Sequence, residues 1–409
     1  MPPAFRPTAP WPPERRILAW MCVLVAVNQL GFGAMVPVLP LYAQSFGVPA
    51  SAIGLAIGIY GLARFFIAIP AGQMSDRLGR RPTLAIGGLI SAIGNLWCAW
   101  ATGYPELIAA RFVAGAGAGL IVTTGQVVLA DISTPARRGR VIAIHQAVFL
   151  FAVGIGPFPG GLLAEKYGLA APFLAYGVLA LVASVIAWLG VSETRDLGRG
   201  APRRGDAPRP PFAVQIRQLG RQRGFVLVSL IALTNAIVRT GGLFAIIPLL
   251  ATQRLGLSVA RIGLAMMLGS VAGLIAAYPA GWLTDRLGRK AVIVPATILT
   301  GASMLLFCFG MSWGWFVAAC VAWGIASSVG GAAPAAYAAD SAPPGMNAAA
   351  MSTFRMTSDA GYVIGPLALG LIADLAGPVT AVLSSAALLM AAGVVFGLAA
   401  PETYRGRRS

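Results

Sequence analysis

Charge is what this sequence has least of. Of its 409 residues only 11% are Asp, Glu, Lys or Arg, against 57% hydrophobic. A soluble chain this long needs more charge than that to cover its surface, so the composition argues for a polytopic membrane protein. Acid is scarcer still, with 13 Asp and Glu against 30 Lys and Arg and a net charge of +17. Histidine occurs once, at His145, near the end of an apolar run where packing or an interfacial position accounts for it. The four cysteines, Cys22, Cys98, Cys308 and Cys320, all fall inside apolar runs with no CxxC or Cys/His cluster, which supports neither a disulfide framework nor a metal site. Without nucleophile–base pairs or metal ligands, no enzymatic activity is expected.

What is present in quantity is long apolar segments. Read against charged and Pro/Gly-rich breaks they give twelve spans, roughly 17–40, 51–71, 83–102, 106–129, 140–162 and 170–191, then 225–250, 259–280, 291–311, 313–338, 347–372 and 378–400. Each approaches the roughly 20 residues that cross a bilayer core of about 30 Å. The first is too long, and too weakly followed by a cleavage signature, for a removable signal peptide. The basic residues sit in the short loops between spans, so they report topology and not a nucleic-acid-binding face. With a cytoplasmic N-terminus, 23 of the 30 lie on the cytoplasmic side and three, Lys166, Arg254 and Arg261, on the other. Both termini are therefore expected in the cytoplasm, the chain being multi-pass in a bacterial inner membrane.

The second half repeats the first. Asp76 recurs as Asp285, Asp131 as Asp340, Gly156-Pro157 as Gly365-Pro366 and Glu193-Thr194 as Glu402-Thr403, always 209 residues on. The expected fold is all-α, with twelve transmembrane helices in two pseudo-symmetric six-helix bundles at 17–194 and 225–403. A disordered tail (1–16), a mobile Arg/Pro/Gly-rich cytoplasmic linker (195–224) and a short tail (404–409) complete the chain.

One polar loop stands out in both halves. Gly72-x-x-x-Asp76-Arg77-x-Gly79-Arg80-Arg81 returns as Gly281-x-x-x-Asp285-Arg286-x-Gly288-Arg289-Lys290. Its glycines allow a sharp turn and close packing, and its charges suit a helix terminus and a carboxylate partner. Positive-inside anchoring would account for the arginines but not for Asp76 or the glycines. This pattern resembles the signature loop between the second and third helices of the major facilitator superfamily, and the likeness extends over the twelve spans. The resemblance implies a latch that joins the bundles when the cytoplasmic side is shut, with Asp131 as the expected partner of Arg77. Gly156-Pro157-x-x-Gly160-Gly161 in span five resembles the core of the motif associated with the family's antiporters, although two glycines expected upstream are Ala143 and Ala152 here. Its second copy keeps Gly365-Pro366 without the following Gly-Gly. Together these features resemble the twelve-helix drug:proton antiporters.

Charges inside spans are the remaining candidates, because burying one in a bilayer costs on the order of 3 kcal/mol and requires a wet cavity or a partner. Arg111, in Arg111-x-x-x-Gly115-x-x-x-Gly119, resembles the buried arginine implicated in proton coupling; snorkelling to the outer interface is the alternative. Asp359 is the sole carboxylate near the midplane and hence a candidate proton carrier, or else the i, i+4 salt-bridge partner of Arg355. Arg64, Arg239 and Arg355, with Asn28, Gln29, Gln126 and Asn235, are substrate-binding candidates, walled by Tyr60, Phe244 and Trp323. Many drug:proton exporters carry an acid in the first helix, where this chain has Asn28-Gln29. Four arginines against one aspartate favour a neutral or anionic amphipathic substrate such as an acidic drug, an organic acid or a hydroxamate-like siderophore.

The expected function is secondary active transport: proton-coupled export by alternating access, with proton-coupled uptake of an organic acid as the alternative. The proton gradient stands in place of a cofactor. The expected partners are the lipid bilayer, protons and one small molecule, without nucleic acid, the protein working as a monomer. A transport-inactive sensor would fit the same spans, but no soluble signalling domain accompanies them.

Overall fold

The computed structural model describes residues 13–133, 137–195, 212–310, 312–331, 333–343 and 346–402. Among them are twelve helices long and apolar enough to cross a membrane. They are α1 (Glu14–Met35), α2 (Ala50–Leu78), α3 (Arg80–Ala99), α4 (Tyr104–Asp131), α5 (Arg140–Tyr167) and α6 (Ala171–Gly190), then α7 (Arg223–Leu255), α8 (Val259–Thr284), α9 (Arg289–Phe309), α10 (Trp313–Asp340), α11 (Ala349–Ala376) and α12 (Pro378–Ala399). Within the first six, α4 packs on α2 and α3, α6 on α3 and α1, and α5 on α1; the last six repeat much of this scheme. The two sets meet through α2 against α11 and α5 against α8.

The 209-residue repeat is written into the backbone. All six glycines with left-handed φ among the described residues form pairs at that offset: Gly47 and Gly256, Gly79 and Gly288, Gly168 and Gly377. Each terminates a helix where a side chain at positive φ would be strained.

Three expectations are corrected. Span one does not run unbroken to residue 40: α1 stops at Met35, ahead of Pro37, and a separate short helix, Leu39–Gln44, follows. The linker is not wholly irregular, because residues 212–220 form a helix that seats Leu219 in the second bundle's core. Residues 1–12, 196–211 and 403–409 fall outside the described set, and with them most of the expected tails and linker. The third correction is a nine-residue π-helix, Val238–Ile246, inside α7. It contains Arg239 and Gly241-Gly242, and its last residue, Ile246, is the repeat mate of Pro37, where α1 is broken.

Candidate functional site

The signature loop closes within its own bundle. Helix α2 ends at Gly79 (φ 104°), and a Cβ there would collide with the Glu193 carboxylate. That carboxylate caps α3, accepting from the backbone N–H of Arg80 (3.0 Å) and Arg81 (3.2 Å). The N–H groups of Thr194 and Arg195 also donate to it, each at 3.0 Å. Burial pushes the Glu193 carboxyl up, but these four donors outweigh it and hold it below the usual range. The expected Arg77–Asp131 pair is corrected: Arg80 is the partner, 2.9 Å from Asp131 and 3.1 Å from Asp76. One turn of helix explains the difference, since Arg80 opens α3 and faces α4, whereas Arg77 closes α2 and is exposed. Thr194 Oγ1 donates to Asp131 as well (3.0 Å), and Arg81 lies 4.8 Å from the Trp188 ring centre.

The second copy repeats the chemistry. Arg289 pairs with Asp340 at 3.1 Å, Arg286 stacks 4.0 Å from the Trp282 ring centre, and Gly288 turns the chain at φ 94°. The surroundings of Gly281 and Asp285 lie outside the described set. A Cβ on Gly72 would meet nothing within 4 Å, so the close packing expected of Gly72 is not made in this conformation.

At the opposite face the bundles are tightly joined. A Cβ added to Gly54 would strike the Pro366 carbonyl, and one on Gly263 the Pro157 carbonyl. These are the same contact in repeat-related positions, α2 on α11 and α8 on α5. Gly156 and Gly160 press onto α1 at Gly33 and Ala34, while Gly161 presses onto Val259 and Ala260 of α8. The antiporter-like motif is thus a wedge between α1 and α8, and α5 breaks at Gly156-Pro157 into two helical segments. Gly370, the repeat mate of Gly161, presses onto Ala50 and Ser51; the second copy therefore keeps one of the two glycines, a signal the 209 offset already held.

One carboxylate ties this seal. Helix α2 begins after Pro49, which offers no side-chain cap. Asp374 of α11 supplies it from the other bundle, accepting from Ala50 N (2.7 Å) and Ser51 N (2.9 Å). The repeat mate of Pro49 is Ser258, which caps α8 by itself. The α2–α11 contacts include Gly54, Gly58 and Gly61, and an α5–α8 contact sets Gly154 against Ser270. A cavity lies between the two bundles here, its apex lined by Phe32, Met35, Ile57, Arg111, Phe244 and Tyr362.

In-span arginines lie near the cavity's Tyr362, with Arg64, Arg111 and Arg239 all within electrostatic reach of that residue. Arg239 and Arg355 both lie within electrostatic reach of Asp359, and Arg64 within reach of Arg355. Arg355 and Asp359 do not form the expected i, i+4 salt bridge: no ion pair joins them within 4.0 Å, and Arg355 is solvent-exposed. Arg111 does not snorkel. It is 1% exposed, donates to the Ala56 carbonyl (3.1 Å) and holds its guanidinium 4.4 Å from the Tyr60 ring centre.

Comparison with known proteins decides what this architecture is. The family model described as Major Facilitator Superfamily matches residues 21–260 and 228–409. The chain belongs to the Major Facilitator Superfamily. An uncharacterised transporter of this type from Methanocaldococcus jannaschii is 24% identical over 368 residues, 90% of this chain and 94% of that protein. The inner membrane transport protein YajR of Escherichia coli is 33% identical over 171 residues, 41% of this chain and 37% of its own length. The quinolone resistance protein NorA of Staphylococcus aureus is 28% identical over 160 residues, covering 38% and 41%; the chain spans about two fifths of these last two proteins. The fold is shared with the nucleoside transporter NupG (TM-score 0.77, 14% identity, 93% and 98% covered) and with the human organic anion transporter of the same fold (0.65, 20%, 94% and 99%). The protein is a membrane transporter and not an enzyme.

For a major facilitator protein, the remaining candidates divide clearly. Asn28 and Gln29 of α1 are buried, the Asn28 amide without a partner. Gln126 is exposed, and Asn235 spends its amide on the Ile231 carbonyl of its own helix. Phe244 faces Arg111 across the cavity apex, Tyr60 lies beneath the guanidinium, and Trp323 packs into the core. His145 is part-exposed on α5. Tyr362 is the residue the sequence reading missed. It lines the apex with Arg111 and stands three residues from Asp359 and seven from Arg355, a helical spacing that could have disclosed it.

Proposed function

We propose that this transporter is a proton-coupled exporter of small anionic or neutral amphipathic compounds, drug-like or siderophore-like, working by alternating access. The observation that carries the reading is the charge balance between the bundles: Asp359 lies within electrostatic reach of Arg239 and Arg355, Arg64 lies near Arg355, and Arg64, Arg111 and Arg239 all lie near Tyr362. A cavity with that balance draws anions and rejects lipophilic cations. Asp359 is the group that gains and loses the proton, and the nearby arginines make its charge state sensitive to substrate. The basic loops put the signature face, and both termini, in the cytoplasm of a bacterial inner membrane. On this reading the tight glycine contacts between the bundles lie at the outer face, and the cytoplasmic face is where an exporter loads. The partial likeness to NorA supports efflux.

In the cycle, the α2–α11 and α5–α8 contacts of the outer face release while the two signature loops bring the cytoplasmic ends together. The test is transport in proteoliposomes with an imposed pH gradient, using paired anionic and cationic dyes. Export of the anion with protons moving the opposite way, weakened by Arg239→Gln and abolished by Asp359→Asn, is the expected result. Preferential export of the cation, untouched by Arg239→Gln, overturns the anion reading. Co-flow of proton and substrate would make the protein an uptake carrier.

A further inference from the structure

The cavity apex is lined by Phe32, Met35, Val36, Leu39, Ile57, Phe244 and Tyr362 together with Arg111. Six of these are aliphatic or carry a phenyl ring without a polar group, and one is a tyrosine. Arg111 is among the largest fully buried side chains described. Of its five N–H donors, one meets the Ala56 carbonyl, and Nη1 has no partner. Among the described residues no carboxylate lies within 4.0 Å of it. Asp359 lies within electrostatic reach of Arg239 and Arg355, and no ion pair joins it to Arg111 within 4.0 Å.

An arginine cannot shed its charge at any accessible pH, so burial cannot be relieved by deprotonation. The Tyr60 ring face and one carbonyl offset part of the desolvation, but both are neutral. A buried cation with an unused donor fork and no counter-charge has a strong demand for an anion. A carboxylate answers the fork with two parallel hydrogen bonds. The apolar wall around it suits a hydrocarbon or aromatic body attached to that head.

We infer that the cavity apex is a carboxylate subsite, in which Arg111 takes the head group of an amphipathic monocarboxylate and Phe32, Met35, Phe244 and Tyr362 enclose its apolar body. This deepens the proposed function and rests on its anionic reading. It also gives Arg111 a binding role, separate from the proton coupling that the family resemblance implies. Arg239 and Arg355 then act as the outer guidance toward the apex.

The probes are 1-pyrenebutyrate and the isosteric 1-pyrenebutyramide, which differ in charge and hardly in shape. Binding to the purified full-length protein is read by pyrene fluorescence, with chloride replaced by gluconate in a parallel series. The wild type should bind the carboxylate at least tenfold tighter than the amide. Arg111→Gln should bring the ratio to about one with amide affinity unchanged, and Arg111→Lys should keep only part of the preference. A second readout avoids altering the arginine. In Phe244→Cys, made without the four native cysteines, maleimide labelling should be blocked by the carboxylate at concentrations where the amide does not protect.

Wild type that binds both probes alike overturns the subsite and the anionic reading together. Carboxylate preference removed by Arg239→Gln and kept in Arg111→Gln overturns the subsite alone. So does an Arg111→Gln protein that loses only the proton dependence of transport. Chloride competing as strongly as the carboxylate would make the apex an inorganic-anion site and overturn the assignment.

Discussion

Asp374→Ala tests the outer seal most directly. The wild-type carboxylate accepts from Ala50 and Ser51 across the bundle interface, at 2.7 and 2.9 Å, because Pro49 leaves α2 uncapped. Loss of a helix N-cap costs about 0.5–2 kcal/mol. Asp374 is solvent-exposed, so its attraction to the helix dipole is screened and adds only a few tenths more. A shift of about 1–2 kcal/mol in the equilibrium between outer-closed and outer-open forms corresponds to about 5- to 30-fold. The assay is labelling of Ile53→Cys in a background lacking Cys22, Cys98, Cys308 and Cys320. Ile53 is 2% exposed and lines the cavity beneath the Asp374 contact, so a membrane-impermeant maleimide reaches it only when the seal opens. The labelling rate follows the open population when opening is fast relative to the chemistry. Asp374→Ala should raise the rate by about 5- to 30-fold, and Asp374→Asn, which keeps one acceptor oxygen, by less. A rate equal to wild type, in protein whose thermal stability is unchanged, would refute the claim that this carboxylate holds the gate.

Two further outcomes follow from the same geometry. Gly54→Val and Gly263→Val each place side-chain atoms against a backbone carbonyl of the other bundle, Pro366 and Pro157 respectively, and backbone cannot yield as a side-chain tip does. Both should raise Ile53→Cys labelling in the same assay and slow export. Glu193 is a stability element with a defined pH window. Its folded pKa lies below the ordinary 4.5, so its contribution is complete above that value and is lost as pH falls through the depressed folded value. Thermal unfolding of wild type should therefore drop more steeply on acidification than that of Glu193→Gln, which should be the less stable of the two at neutral pH.

Much of this protein is dictated locally and could be read from the chain. Apolar runs long enough to cross a bilayer set the twelve helices, since no other backbone arrangement with these residues satisfies its hydrogen bonds in lipid. The 209-residue offset set the pseudo-symmetry, and it reappears in the φ angles of the three glycine pairs. The charges inside spans were legible as cavity residues because lipid forbids them, and the structure does gather Arg64, Arg239, Arg355 and Asp359 around one space.

What the chain alone could not decide was which of several equivalent groups meets which partner. Arg77 and Arg80 are chemically alike, and only the turn at Gly79 aims the second at Asp131. Arg355 and Asp359 share a helical face yet do not pair. Asp374 looks like an ordinary helix-end acid until α11 is laid against the uncapped start of α2. The sequence by itself determined the number, order, repeat and basic sidedness of the helices, because these follow from hydropathy and local backbone chemistry. Only the tertiary structure decided the partners of Asp131, Asp374 and Arg111, because those depend on the depth and rotation of each helix against its neighbours, and 3.6-residue periodicity leaves both free.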